Sequence, residues 1–281
     1  MPLEYLKPVV DRAYAENWAV PAFNFWTVDN AVATVNAAAE LKSPVILMAS
    51  GSCVKHLGLD LISASVAKIA ARVDIPVVLH LDHASDKSLI YRAIHSGFTS
   101  VMYDGSQLPF AENAANTQEV VNYAQAVGVS VEAELGSIGR GEEGEEQEAI
   151  FTEPDEAVKF IEMTKVDALA VAVGTCHGMQ KQEAPIRHDI VKALSAVTTV
   201  PLVLHGSSGV TDDDLLVLQK TGLSKINFGT RLKYAFVEGA YTFLQDHPGT
   251  SNHVGAIESG MACQAEIVRQ KIKLVGSENR A

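Results

Sequence analysis

The chain has 281 residues, 47% of them hydrophobic, with 22 Lys and Arg against 34 Asp and Glu, a formal charge of −12 and a pI near 5.2. That is ample apolar material for one large core, and the acidic balance argues against nucleic acid as a partner, since phosphate backbones are gripped through clustered Lys and Arg. The apolar runs are too short to span a membrane, and residues 1 to 20 lack a basic start, an apolar middle and a cleavage site, so a cytoplasmic protein with no membrane partner is expected.

In chain order, a helix over residues 4 to 16 precedes a first strand at 19–23. Further β-branched apolar runs at 44–49, 75–81, 98–103, 128–133, 167–173, 200–204 and 223–228 read as strands. Between them lie helical patterns at Asn30 to Leu41, Leu59 to Arg72, Lys87 to Ser96, Phe110 to Val127, Pro154 to Thr164, Ile186 to Ala196 and Asp212 to Thr221. Ser85 is available to cap the helix that begins near Asp86, and Asp155 and Asp212 stand near helix starts, where negative charge is favoured. A last helix over 230–246 is followed by a tail, with an additional helix that caps the barrel bottom as the alternative. Eight strands alternating with helices of this length imply parallel pairing through right-handed crossovers. The expected fold is α/β: a single (β/α)8 TIM barrel domain over residues 1–281, with an N-terminal helix and a helical C-terminal extension. No Pro/Ser/Gly-rich linker divides it.

Two features stand out from this pattern. Residues 136–149, with four glycines and five glutamates and no apolar period, read as a solvated loop. The three cysteines, Cys53, Cys176 and Cys263, are too widely spaced for a disulfide framework or a CxxC site.

In such a barrel, the residues at the strand ends share one rim. Here they are Asn24, Ser50, Asp82 with His83, Asp104, Glu134, His177, His205 and Asn227. That list is unusually polar and ionisable. Three imidazoles, His83, His177 and His205, converging at one rim would make a site for a divalent transition metal with positions open to substrate.

The segments His80-Leu81-Asp82-His83, Ser130-Val131-Glu132-Ala133-Glu134-Leu135-Gly136, Gly174-Thr175-Cys176-His177-Gly178, Leu204-His205-Gly206-Ser207-Ser208-Gly209 and Lys225-Ile226-Asn227 resemble, in order, the motifs of class II, zinc-dependent ketose-bisphosphate aldolases. The likeness runs from Pro21-Ala22-Phe23-Asn24 to Asn279-Arg280-Ala281, with the tagatose- and fructose-1,6-bisphosphate members most similar.

The resemblance implies reversible cleavage of a phosphorylated ketose between C3 and C4, giving dihydroxyacetone phosphate and an aldehyde such as glyceraldehyde 3-phosphate. It implies one Zn2+ per subunit on His83, His177 and His205, stabilising negative charge in place of a Schiff-base lysine. By the same match, Asp82 moves the proton of the C4 hydroxyl. Gly139-Arg140-Gly141-Glu142-Glu143 resembles the family's glutamate turn, which makes Glu142 the loop acid/base, with Glu143 as the alternative after a small register shift. Asp104 and Glu134 would orient metal ligands or offer an alternate metal position. Asn24 and Ser50 would contact substrate hydroxyls, and Gly178, Lys181, Gly206, Ser208, Asn227 and Thr230 would hold phosphate. Family resemblance further implies a monovalent cation (Na+ or K+) near these turns, and a homodimer or homotetramer.

Two stretches depart from the family pattern. Phe228-Gly229-Thr230-Arg231 places Arg231 where an acidic residue is usual, and Gly178-Met179-Gln180-Lys181 lacks the common tyrosine. Arg231 is either a grip for a second anionic group at the far end of the ketose, phosphate or sulfonate, or a solvated residue in a first helical turn. The corresponding alternatives for the whole chain are an aldolase for another ketose 1-phosphate, such as 6-deoxy-6-sulfofructose 1-phosphate, or a non-catalytic aldolase subunit.

Overall fold

The computed structural model describes residues 3–140, 150–179 and 181–281. Eight parallel strands close into a barrel: β1 (Val20–Asn24), β2 (Val45–Ala49), β3 (Val77–Ala84), β4 (Ser100–Tyr103), β5 (Ser130–Leu135), β7 (Ala168–Val171), β9 (Leu202–Leu204) and β10 (Leu223–Phe228). They neighbour one another in chain order, and β10 returns to pair with β1, with Val20 opposite Lys225 and Ala22 opposite Asn227. Two short strands, β6 (Gly139–Arg140) and β8 (Cys176–His177), form a separate parallel pair.

The helices are α1 (Leu6–Glu16), α2 (Val28–Glu40), α3 (Gly51–Leu57), α4 (Leu59–Ala70), α5 (Lys87–Ser96), α6 (Phe110–Gln125), α7 (Pro154–Thr164), α8 (His188–Val197), α9 (Asp212–Leu218), α10 (Thr230–Asp246) and α11 (His253–Leu274). This is the expected (β/α)8 barrel, with corrections of detail. β3 runs on through Asp82 and His83 to Ala84, past the expected end at residue 81. The cap of α5 is Asp86 rather than Ser85, its carboxylate accepting from the Ser88 N–H at 2.8 Å.

The expected tail contains the 22-residue helix α11. Its buried positions are Ala256, Gly260, Gln264, Ala265, Val268 and Ile272, mostly small and spaced at helical intervals, so no strong apolar stripe advertises it. The glycines that interrupt its pattern serve close packing instead. A Cβ on Gly260 would meet the Phe236 carbonyl at 2.7 Å, and one on Gly239 of α10 would meet that of Ser259 at 2.6 Å. Gln264, almost fully buried, ties α11 to α2 through Asn30 and Thr34.

Side chains alternate across each strand. The outward sets (Val45, Leu47 and Ala49 on β2; Leu202 and Leu204 on β9) join the core under the helices. The inward sets build a second cluster of Val20, Ala22, Ile46, Met48, Val78, Met102, Ala168, Ala170 and Val203, closed from below by Leu6, Val9, Val10 and Ala13 of α1. Toward the C-terminal ends the same inward register turns polar: His80 and Asp82 on β3, Glu132 and Glu134 on β5, His205 just beyond β9, and Lys225 and Asn227 on β10.

Leu6→Ala, at a fully buried position in the barrel floor, is expected to lower unfolding free energy by about 2–5 kcal/mol, read from the urea midpoint at unchanged slope.

Candidate active site

Asp82 and His83 reach the rim through a bulge. The register between β3 and β4 shifts between Leu81 and Ala84, and His83 sits at φ 49°, a left-handed conformation that a residue with a Cβ adopts only when its surroundings hold it there. Two consecutive side chains of a regular strand face opposite sides; the bulge delivers both to the same end of the barrel.

The three histidines meet as expected. His83 Nε2 lies 2.8 Å from His205 Nδ1, and ring nitrogens of His83, His177 and His205 all fall within 4.8 Å of one another. The rings stand nearly perpendicular, with interplanar angles of 81°, 77° and 79°. His83 Nδ1 is 2.8 Å from Asp104 and 3.8 Å from Glu134 Oε2, so the same ring also belongs to a second group, His83, Asp104 and Glu134, that could hold a cation.

The electrostatics fit this arrangement. Burial and the nearby positive groups push His205 well below the ordinary imidazole range, so its ring is neutral. Burial also works against charge on His83, but the Asp82 carboxylate and the Asp104 hydrogen bond prevail and raise it to about 9. Without a cation, His83 can thus donate Nδ1–H to Asp104 and Nε2–H to the lone pair on His205 Nδ1. A metal would replace that second proton. Zn–N bonds of about 2.0–2.1 Å in tetrahedral geometry set ligand nitrogens roughly 3.3 Å apart, so admitting one asks the two rings to separate by only about half an ångström. Three imidazole nitrogens, two of them on rings backed by carboxylates (Asp104 behind His83, Glu132 behind His205), suit a divalent transition metal.

Asp82 lies beside this cluster and is 6% exposed. Its Oδ2 accepts from Asn24 Nδ2 at 2.8 Å, while Oδ1 is buried without a hydrogen-bond partner among the described residues. Burial raises its pKa, but the charges of His83 and Lys225 and the Asn24 hydrogen bond outweigh burial and hold it below the usual range, as a carboxylate. Glu134 behaves oppositely: burial and repulsion from Asp104 push it up to about 8, so near neutrality it carries a proton.

A cavity of 130 Å³ over the histidines is lined by Asp82, Asn24, Ser50, Gly178, Gly206, Ser208, Asn227 and Thr230, which brings most of the sequence candidates together. Gly206 is required there: at φ 63°, a Cβ on it would strike the Cys176 backbone at 2.9 Å, beside His177. Asp104 and Glu134 line an adjoining 370 Å³ cavity shared with His83 and His177.

Two expected binders stand elsewhere. Lys181 is exposed and outside the lining of this cavity. Arg231 is exposed and lines a neighbouring 720 Å³ cavity between the end of β10, α10 and α11. Glu142 and Glu143 lie outside the described residues, as does Gln180.

Sequence reasoning missed three charged groups. Lys233 lines the histidine cavity, with Nζ 4.8 Å from the Trp26 ring centroid; it stands three residues beyond Thr230, on the same helix face. Glu132 and Lys225 form a fully buried ion pair at 2.9 Å beneath His205. Their strand parity, shared with Glu134 and Asn227, was the available signal.

The fold and the site thus define a barrel whose rim sets the Asp82 carboxylate beside three histidines that could hold a metal ion. The class II fructose-bisphosphate aldolase family matches residues 4–280. A sulfofructosephosphate aldolase of Alkalicoccus urumqiensis is 36% identical over 278 residues, covering 98% of this chain and 97% of that protein. Among solved structures, the YdjI aldolase of Escherichia coli K12 superposes with a TM-score of 0.88 at 31% identity, over 100% of each chain. The fructose-bisphosphate aldolase of Campylobacter jejuni shares the fold, with a TM-score of 0.85 at 23% identity over 98% of this chain and 95% of that one. This chain belongs to the class II aldolase family. It is an aldolase, a carbon–carbon lyase of a family that acts on phosphorylated sugars.

Asp104→Ala is expected to weaken divalent-metal binding about 10–100-fold by releasing the His83 ring, measured by competition with a chromophoric chelator at unchanged circular dichroism.

Proposed function

We propose that this chain is a zinc-dependent aldolase that reversibly cleaves a ketose 1,6-bisphosphate of the tagatose or fructose class. The observation that carries the reading is the buried, unshared oxygen of Asp82 beside three converging imidazoles.

His83, His177 and His205 would hold the zinc, which acts as a Lewis acid on the ketose carbonyl. In the cleavage direction, Asp82 removes the proton of the C4 hydroxyl. The C3–C4 bond breaks, C4 leaves as the aldehyde, and the bonding pair passes from C3 toward the C2 carbonyl. Asn24 keeps Asp82 aimed by occupying Oδ2 and leaving Oδ1 for the substrate. Protonation of C3 completes dihydroxyacetone phosphate, a step assigned to Glu142 by its place in the motif. The 1-phosphate is held by Gly178, Gly206, Ser208, Asn227 and Thr230, where glycine backbones and the N-terminus of the 17-residue α10 face the cavity. In this reading Lys233, with Ser50 and Ser52, receives the C6 anion, a role that sequence reasoning offered to Arg231. Exposed Tyr234, Val237, Tyr241 and Leu244, at helical spacing on α10, support assembly as a homodimer or homotetramer.

A sulfonate at C6 is the second reading. It is favoured by the 36%-identical sulfofructosephosphate aldolase, and the Lys233 ammonium suits either anion. Parallel assays of the zinc-loaded protein on fructose 1,6-bisphosphate, tagatose 1,6-bisphosphate and 6-deoxy-6-sulfofructose 1-phosphate separate the readings through their kcat/KM values.

Chelation should abolish cleavage and added zinc restore it; full activity in metal-free protein refutes the assignment. Asp82→Ala is expected to keep stoichiometric zinc while kcat falls about 10²–10⁴-fold. Lys233→Ala should raise KM for substrates charged at C6 while barely changing KM for fructose 1-phosphate, and an equal effect on both would remove Lys233 from the C6 subsite.

A further inference from the structure

Beneath the histidines lies a charge pair that none of these steps uses. Lys225 on β10 and Glu132 on β5 are both 0% exposed, with Nζ 2.9 Å from Oε2. Taking two full charges out of water is costly, and the neighbouring inward positions show that apolar side chains such as Val203 and Met102 fill the barrel well.

The contacts of the pair are divided. Glu132 Oε1 lies 2.8 Å from His205 Nε2, while Oε2 faces Lys225 and, at 3.8 Å, His80 Nε2. His80 is anchored at its other nitrogen, 2.7 Å from Ser100 Oγ. Lys225 also donates to Asn227 Oδ1 at 2.8 Å. A neutral imidazole carries its proton on one nitrogen and its lone pair on the other. A carboxylate only accepts, so Glu132 holds the His205 proton on Nε2 and leaves the lone pair on Nδ1, the atom that faces His83 and the cavity. Asn227 Nδ2, 3.1 Å from the same Nε2, favours the opposite tautomer, with its N–H donating to an Nε2 lone pair. The charge-assisted bond to Glu132 is the stronger of the two. With Lys225 absent, Glu132 would be a buried charge free to turn toward His80, and Asn227 would then decide the tautomer.

We propose that Lys225 is a positioning residue for metal capture: it pins one oxygen of Glu132 so that the other stays on His205 Nε2, which keeps the lone pair of His205 Nδ1 turned toward His83 and His177. The inference rests on the reading of the three histidines as a metal site.

The test uses the full-length protein and zinc alone. Chelator competition on Lys225→Met, judged folded by circular dichroism, should show zinc affinity reduced about 10–100-fold. Glu132→Gln should lose a similar factor, and the double variant should bind no more weakly than Glu132→Gln, because both changes act through one carboxylate. Imidazole ¹⁵N spectra of the unaltered zinc-free protein should show His205 protonated on Nε2, with Lys225→Met giving a mixture. Wild-type zinc affinity in folded Lys225→Met, or a His205 proton on Nδ1 in the unaltered protein, overturns the proposal. If Lys225→Met does not fold, wild-type affinity in Glu132→Gln overturns it equally. His177→Ala separates the premise: if zinc binds that variant as tightly as the unaltered protein, the metal site itself is wrong, whatever Lys225 does.

Discussion

The chemistry of this chain depends on one constraint, the two-residue alternation of side chains inside a closed parallel barrel. Closure leaves each strand an inner face with no solvent, and parallel order sends every inner face toward the same end. Near α1 those inner positions are Val, Ile, Met and Ala; toward the strand ends they become His80, Asp82, Glu132, Glu134, Lys225 and Asn227. One register therefore serves both purposes. A slip of one residue in any strand would exchange its inner set for its outer one, which would set Glu132 or Lys225 against the helices and leave Val131 or Ile226 facing the histidines.

His83 is where that regularity breaks. Its left-handed backbone and the β3–β4 bulge place two functional side chains side by side, and the ring then connects two cavities, one on each nitrogen. Strain of this kind persists only where the surroundings over-determine it. Here Asp104 fixes one edge of the ring, His205 faces the other, and Asn24 steadies the adjacent carboxylate. The strained residue is thus held from three different strand ends, which ties site geometry to barrel closure rather than to the local turn.

The barrel was legible because apolar strands and helical patterns alternate at regular lengths, and the rim was legible because it lies where those strands end. Residues inside the strands were harder to see. Glu132 and Lys225 stand in apolar runs, where a charge looks like an outward residue until the inner parity is worked out from Glu134 and Asn227. Helix α11 was obscured because close packing against α10 demands glycine and alanine, which weaken the apolar period. Helix α3 is seven residues long and opens on Gly51, too short for a period to show. The loop glutamates depend on a stretch with no apolar pattern, so their placement could be read only from motif order.

The exchange of Arg231 for Lys233 follows from helix geometry and bears on how members of this family can differ. Successive residues of an α-helix are turned by about 100°, so Thr230 and Lys233 share the face over the histidines, while Arg231 is carried round to the neighbouring cavity. An unusual residue beside a binding motif is conspicuous in sequence, yet the position three residues past Thr230 is the one that lines the histidine cavity. Lys233 also has a mobile, compact charge seated over Trp26 rather than a planar fork. An ammonium of this kind makes few geometric demands on the oxygens it meets, so phosphate and sulfonate can be received by the same side chain. In that reading, discrimination between them would fall to hydrogen bonds from groups such as Ser50 and Ser52 in the same cavity lining, since a phosphate dianion holds its donors more strongly than a sulfonate monoanion. The reaction would remain set by the inner residues of the barrel, with substrate choice set by the outer turns around them.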